Sequence, residues 1–119
     1  MGEETESFLE YFMSTITAAE YQSKAKTTAI FPKENALEYL ALGLSSETGE
    51  VAGKIKKIIR DKTELNKDDL RDEIGDVLWY CAMLAEELKL NLGMIMENNL
   101  DKLNSRKKRG VISGFGDKR

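Results

Sequence analysis

Histidine is absent from this 119-residue chain. With it go Ser-His-Asp triads, Cys-His dyads and His-ligated zinc, so any chemistry must run on carboxylates, Lys, Arg, Tyr or a metal. A single cysteine, Cys81, excludes an intramolecular disulfide. The start of the chain shows no charged-then-apolar leader pattern, and a reducing cytoplasm is the expected compartment. No apolar run approaches the roughly 20 residues of a membrane span, so no membrane partner is expected. The net charge of −3 gives no general pull toward nucleic acid, which is not expected as a partner although Arg106-Lys107-Lys108-Arg109 is locally basic. One proline, nine glycines and the lack of regularly spaced turn clusters argue against an all-β fold.

What is present, 41% hydrophobic and 33% charged residues, suits one soluble domain over residues 1–119. Leu, Ala, Glu and Lys favour helix. The spacing of Phe8, Phe12, Ile16 and Ala19 predicts a first helix over about 3–29, broken by Phe31-Pro32. A second is expected over about 34–61, with Leu37, Leu40, Ala41, Leu44, Val51, Ile55, Ile58 and Ile59 as its apolar stripe and a soft end near Lys62. Asn66 with Asp68 and Asp69 signals a third, running to Leu88 and burying Leu70, Ile74, Val77, Cys81 and Leu84. Asn91 caps a fourth over about 92–109, which Gly110 stops, leaving a flexible tail at 110–119. The expected fold is all-α, a four-helix bundle. Helices this amphipathic leave apolar margins uncovered in a lone chain, so an oligomer is expected.

Two stretches carry nearly the same pattern: Glu47-Thr48-Gly49-Glu50-Val51 and Glu73-Ile74-Gly75-Asp76-Val77. The i,i+3 spacing puts both acids of each pair on one helix face, where oxygen ligands could hold a hard cation such as Mg²⁺. At roughly 100° per residue with Glu47 at zero, the stripe from Leu40 to Ile58 spans about 20° to 80°, Glu50 lies near 300° and Lys54 near 340°. The third helix repeats the layout, with Asp76 and Tyr80 in the places of Glu50 and Lys54. Both acid bands therefore border the core, and antiparallel packing would bring four carboxylates into one groove. Crowded there, they raise one another's pKa, and a divalent cation relieves them. The competing reading is an ordinary surface on which Lys54, Lys57 and Arg71 neutralise the acids, Lys54 pairing with Glu50 within its helix. Gly49 and Gly75 each cost a helix about 1 kcal/mol relative to alanine, which suits close approach of another helix or subunit.

These residues resemble the all-α nucleoside triphosphate pyrophosphohydrolases of the MazG type. Residues 42–51 supply that family's E-x-x-E, residues 70–80 its E-x-x-D, and residues 99–110 resemble its closing N-L-x-K-L-x-x-R-x-x-R-G. Where many members carry a further Glu before the first motif, this chain has Ser46. The resemblance implies hydrolysis of a nucleoside or deoxynucleoside triphosphate to the monophosphate and pyrophosphate, with Mg²⁺, or Mn²⁺ in its place, as cofactor. It implies Glu47, Glu50, Glu73 and Asp76 as metal ligands and catalytic acids, one of them, Glu47 by its place at the core margin, activating water. Lys54, Tyr80, Asn99, Lys102 and Arg106 are the candidate substrate-binding residues, and a homodimer or homotetramer with sites near subunit interfaces is implied. No base reader is assigned among Phe12, Tyr21, Phe31, Tyr39 and Trp79, and Met13, Met83, Met94 and Met96 read as packing residues. Phosphoribosyl-ATP pyrophosphohydrolase, all-α deoxyuridine triphosphatase, a non-catalytic nucleotide-binding or interaction module and, last, a nucleic-acid binder using residues 102–109 stay open at this point.

Overall fold

The computed structural model describes residues 13–119. Among the described residues there is no strand, and four helices follow one another: α1 (Ala18–Lys26), α2 (Ala36–Asp61), α3 (Lys67–Glu87) and α4 (Leu92–Lys108). The first is shorter than its periodicity suggests. Residues 14–17 are not helical, and the part of the expected helix before residue 13, with Phe8 and Phe12, lies outside the described residues. Thr15-Ile16-Thr17 places three β-branched side chains in a row, which disfavours helix. The Thr17 hydroxyl accepts the Glu20 amide at 3.1 Å, starting α1 there instead. The helix also ends early, because the Thr27 and Thr28 hydroxyls donate to the carbonyls of Lys24 and Ala25 at 2.6 and 2.7 Å.

The other boundaries follow the sequence signals. Asn66 accepts the amides of Asp68 and Asp69, and Asn91 that of Met94, as side-chain caps of α3 and α4. Lys62 closes α2 in the left-handed region at φ 54°, and Gly110 follows α4 at φ 71°.

The closest packing joins α2 and α3, whose five-residue connection leaves them no other geometry. They run antiparallel: contacts pass from Lys54 with Asp69 and Glu73, through Glu47 with Glu73 and Asp76, to Gly43 with Tyr80. Helix α1 lies on α3 and α4 and is fastened by Gln22, which is 8% exposed. Its amide nitrogen donates to Glu86 Oε2 at 3.0 Å and to the Leu90 carbonyl at 2.9 Å, while its oxygen accepts the Leu92 amide at 2.8 Å. Both polar atoms of a buried amide are thus paired, and the α3–α4 turn is held with them.

The core centres on Ala25, Leu40, Ala82 and Met83, with Tyr21, Phe31, Trp79, Tyr80 and Leu84 packed on it. This corrects the expected stripe of α3. Leu70, Val77, Cys81 and Leu84 are half-buried and Ile74 is exposed, whereas Ala82, Met83 and Ala85 are buried. The full burial sits at the C-terminal half of α3, where α1 packs. On α2, Leu40 is fully buried while Leu37, Ile55 and Ile59 are exposed.

Residues 110–119, expected as a flexible tail, lie back along the end of α4. Arg106, 4% exposed, donates to the Asp117 carbonyl at 2.5 Å and pairs with its carboxylate at 3.5 Å, and Lys102 reaches the same oxygen at 3.3 Å. Arg109 donates to the Arg119 carbonyl, and Arg119 in turn to the carbonyls of Val111, Ile112 and Gly116. Four cationic side chains fold the tail back over the end of α4.

Candidate metal and phosphate site

The antiparallel register of α2 and α3 sets their two acid bands face to face. One oxygen each from Glu47, Glu73 and Asp76 lie within 4.8 Å of one another. Glu47 and Glu73 are half-buried and Asp76 is exposed, so the group is open to solvent on one side. Partial burial, a hydrogen bond shared with Glu73 and repulsion from Asp76, Glu73 and Glu50 push the Glu47 carboxyl above the ordinary carboxylate range. Three hard oxygen donors in mutual repulsion form a set that fits a hard divalent cation such as Mg²⁺ or Mn²⁺.

Three carboxylates converge rather than the expected four. Glu50 is exposed and outside the group, although close enough to act electrostatically on both Glu47 and Lys54. The place beside Glu73 is taken by Lys54, whose Nζ lies 3.1 Å from Glu73 Oε1 and donates to the Asp69 carbonyl at 3.2 Å. Lys54 therefore bridges to α3 and does not make the intrahelical pair with Glu50 that its spacing suggests. The Glu73 hydrogen bond raises the Lys54 ammonium above its ordinary value against desolvation, helped by the charges of Glu73, Asp69 and Glu50. Lys57 and Arg71 make no ion pair with these acids; Arg71 pairs instead with Asp68 and Asp72.

Tyr80 closes the other end of the group. Burial first, then the neighbouring Tyr39 hydroxyl and the charges of Glu47 and Asp76, raise its phenol above the ordinary value. Tyr21, reaching in from α1, is raised by burial and then by Asp76. A run of aromatic rings leads away from the acids: Trp79 meets Tyr80 edge-on at 5.0 Å and Phe31 edge-on at 6.5 Å, and Phe31 stacks on Tyr39 at 5.7 Å. Trp79 Nε1 donates to the Thr28 hydroxyl at 2.8 Å. Tyr21 and Tyr39 were legible only as aromatic positions; Tyr21 comes near Asp76 because α1 folds over α3, and Tyr39 meets Tyr80 because α2 packs on α3.

Asn99, Lys102 and Arg106 stand apart. They lie on α4, which packs on α1 and α3 and not on α2, and among the described residues no ion pair or hydrogen bond joins them to the three acids. Asn99 is exposed beside Ile95, Asn98 and Lys102, and the latter's ammonium and the Arg106 guanidinium are both directed at Asp117. Arg106 Nε has no hydrogen-bond partner.

Comparison with known proteins converges on the same segment. The family described as the MazG nucleotide pyrophosphohydrolase domain matches residues 35–111, which span all three acids and the basic pair of α4. A curated relative, the Gene 37 protein of Mycobacterium phage L5, is 49% identical over 109 residues, covering 83% of this chain and 96% of its own. No solved structure matches the chain significantly.

Proposed function

Because the chain belongs to the MazG nucleotide pyrophosphohydrolase family, we propose that it hydrolyses nucleoside or deoxynucleoside triphosphates to the monophosphate and pyrophosphate, using a divalent cation held by Glu47, Glu73 and Asp76. The observation that carries this reading is the convergence of those three carboxylates from two helices within the matched segment. A bound Mg²⁺ or Mn²⁺ supplies the positive charge that screens the phosphate oxygens and the leaving pyrophosphate. Glu47, with its carboxyl raised and at the core margin, orients the attacking water and accepts its proton. Glu50, exposed beside the group, would add a fourth oxygen ligand to such a cation. Lys54, Tyr80 and, from α4, Asn99, Lys102 and Arg106 bind the triphosphate and its sugar. Since α4 does not reach α2 within one chain, the reading includes a homodimer or homotetramer with the sites near subunit interfaces. Nucleotide-pool sanitation in the cytoplasm is the role this chemistry suits.

The test is product analysis on a panel of NTPs and dNTPs, with Mg²⁺ and with EDTA. Monophosphate and pyrophosphate should form only with the cation, and Glu73→Gln should abolish them. The panel also separates phosphoribosyl-ATP and deoxyuridine triphosphate as substrates. The Lys54–Glu73 ion pair supports one second reading, a non-catalytic module whose acids are already partly neutralised. Its signature is no turnover and a melting temperature indifferent to Mg²⁺.

A further inference from the structure

The acid group sits between two unlike contacts along the α2–α3 seam. On one side is the Lys54–Glu73 ion pair at 3.1 Å. On the other, one helical turn before Glu47, the ring of Tyr80 lies directly on the α2 backbone at Gly43. A Cβ built on Gly43 would overlap Cε1 and Cζ of that ring and fall 2.8 Å from Cδ1. No other glycine of α2 or α3 is so placed: Gly49, Gly53 and Gly75 all face open space. The close approach that Gly49 and Gly75 suggested from sequence is therefore made, within the chain, at Gly43.

We infer that Gly43 is a positioning residue: by admitting the Tyr80 ring to the α2 backbone it fixes the helix separation at which Glu47, Glu73 and Asp76 share one cation. The inference rests on the metal-dependent reading above and assigns part of the site's geometry to a residue with no functional group. The ring cannot simply step aside, since Trp79 stands against it edge-on at 5.0 Å and is itself held by its bond to Thr28. Relief of the overlap then falls on the helices, which must separate by about 1 Å or more to restore an ordinary carbon–carbon contact. Mutual repulsion of the three carboxylates favours the same opening, against the bonds that cross the seam from Lys54 to Glu73 and the Asp69 carbonyl and from Glu47 to Glu73. A displacement of about 1 Å in a reacting constellation is enough to cost on the order of a hundredfold in rate.

A thermodynamic cycle isolates the effect, because glycine-to-alanine inside a helix is ordinarily stabilising. Gly43→Ala, Tyr80→Leu, the double variant and Gly53→Ala as an open-site control are compared by Mn²⁺ titration calorimetry, thermal melting and, with the preferred nucleotide, steady-state kinetics. Gly43→Ala should weaken Mn²⁺ binding tenfold or more, lower the melting temperature and reduce kcat more than it raises KM. Gly53→Ala should leave Mn²⁺ affinity unchanged and raise the melting temperature. In the Tyr80→Leu background the Gly43→Ala change should cost less than twofold in Mn²⁺ affinity. Equal costs in both backgrounds, a Gly43→Ala variant that binds Mn²⁺ like wild type, or a wild-type chain that binds no Mn²⁺ would each overturn the inference. Intact Mn²⁺ binding and coupling with no turnover on any triphosphate would overturn the pyrophosphohydrolase reading alone.

Discussion

At the residue scale, the three acids are unequal because their surroundings are. Glu73 is shared between the group and Lys54, so its loss would remove a proposed ligand and leave the lysine charge without that partner. Glu50 is near the group without being in it. Glu73→Gln should therefore weaken Mn²⁺ binding at least tenfold more than Glu50→Gln does, measured by calorimetry on the metal alone. Equal losses would place Glu50 in the ligand set from the outset. Lys54→Met should act oppositely on two readouts: it frees Glu73 of a competing cation, raising Mn²⁺ affinity, while loss of the proposed phosphate contact should raise KM. The i,i+3 spacing made the pairing of acids on each helix legible. What lies across the seam was not: Lys54 has Glu50 four residues before it, and sequence alone gives no weight to Glu73, nineteen residues on, which it meets once α2 and α3 pack antiparallel.

At the scale of elements, the α1–α3–α4 junction depends on Gln22 and Glu86. The Lys26 ammonium at 3.0 Å, and then the Gln22 amide, hold the Glu86 carboxyl below its ordinary range against some desolvation. A carboxyl lowered in the fold adds stability above its unfolded pKa and loses it as pH falls through the folded one. Glu86→Gln should thus lower the melting temperature by about 2–5 °C near neutrality, with the difference closing below the ordinary carboxylate range. Gln22→Ala should also destabilise, by about 1–2 kcal/mol in urea unfolding, since it removes the partners of the Leu92 amide and the Leu90 carbonyl together with a bond to Glu86. The caps at Asn66 and Asn91 could be read in advance because a cap is a local bond between near neighbours. Residues 14–17 were absorbed into a helix because apolar periodicity at Phe8, Phe12 and Ile16 outweighed the β-branched run that breaks it. Gly43 passed unnoticed because its reason is an aromatic ring on another helix, whereas Gly49 and Gly75 drew attention from their motifs.

At the scale of the whole molecule, the chain exposes more surface than a finished globule. Its accessible area of 9744 Å² is roughly half as much again as a compact monomer of this mass presents. The radius of gyration is 17.4 Å, against about 13–14 Å for a compact chain of this length. The excess is apolar in large part: Leu42 and Ile59 on α2 are 71% and 74% exposed, and Ile74 and Leu78 on α3, as well as Met94, Met96 and Leu100 on α4, are each exposed to at least half. Ile74 and Leu78, four residues apart, share one exposed face of α3, and Gly49 and Gly75 have open space in front of them. An area of this size and composition is what obligate self-association covers. In a monomer, Leu42→Glu and Ile59→Glu would change little, because both positions already face water. In an oligomer closed over these faces, each would bury an unpaired charge, so the double variant should dissociate and melt earlier. Light scattering on the eluting peak should give at least twice the chain mass for wild type and the single-chain mass for the variant. A wild-type chain of single mass, or a variant with unchanged mass and melting temperature, would show that α2's outer face is solvent surface, and Lys102 and Arg106 would then have to reach the acids from within one chain.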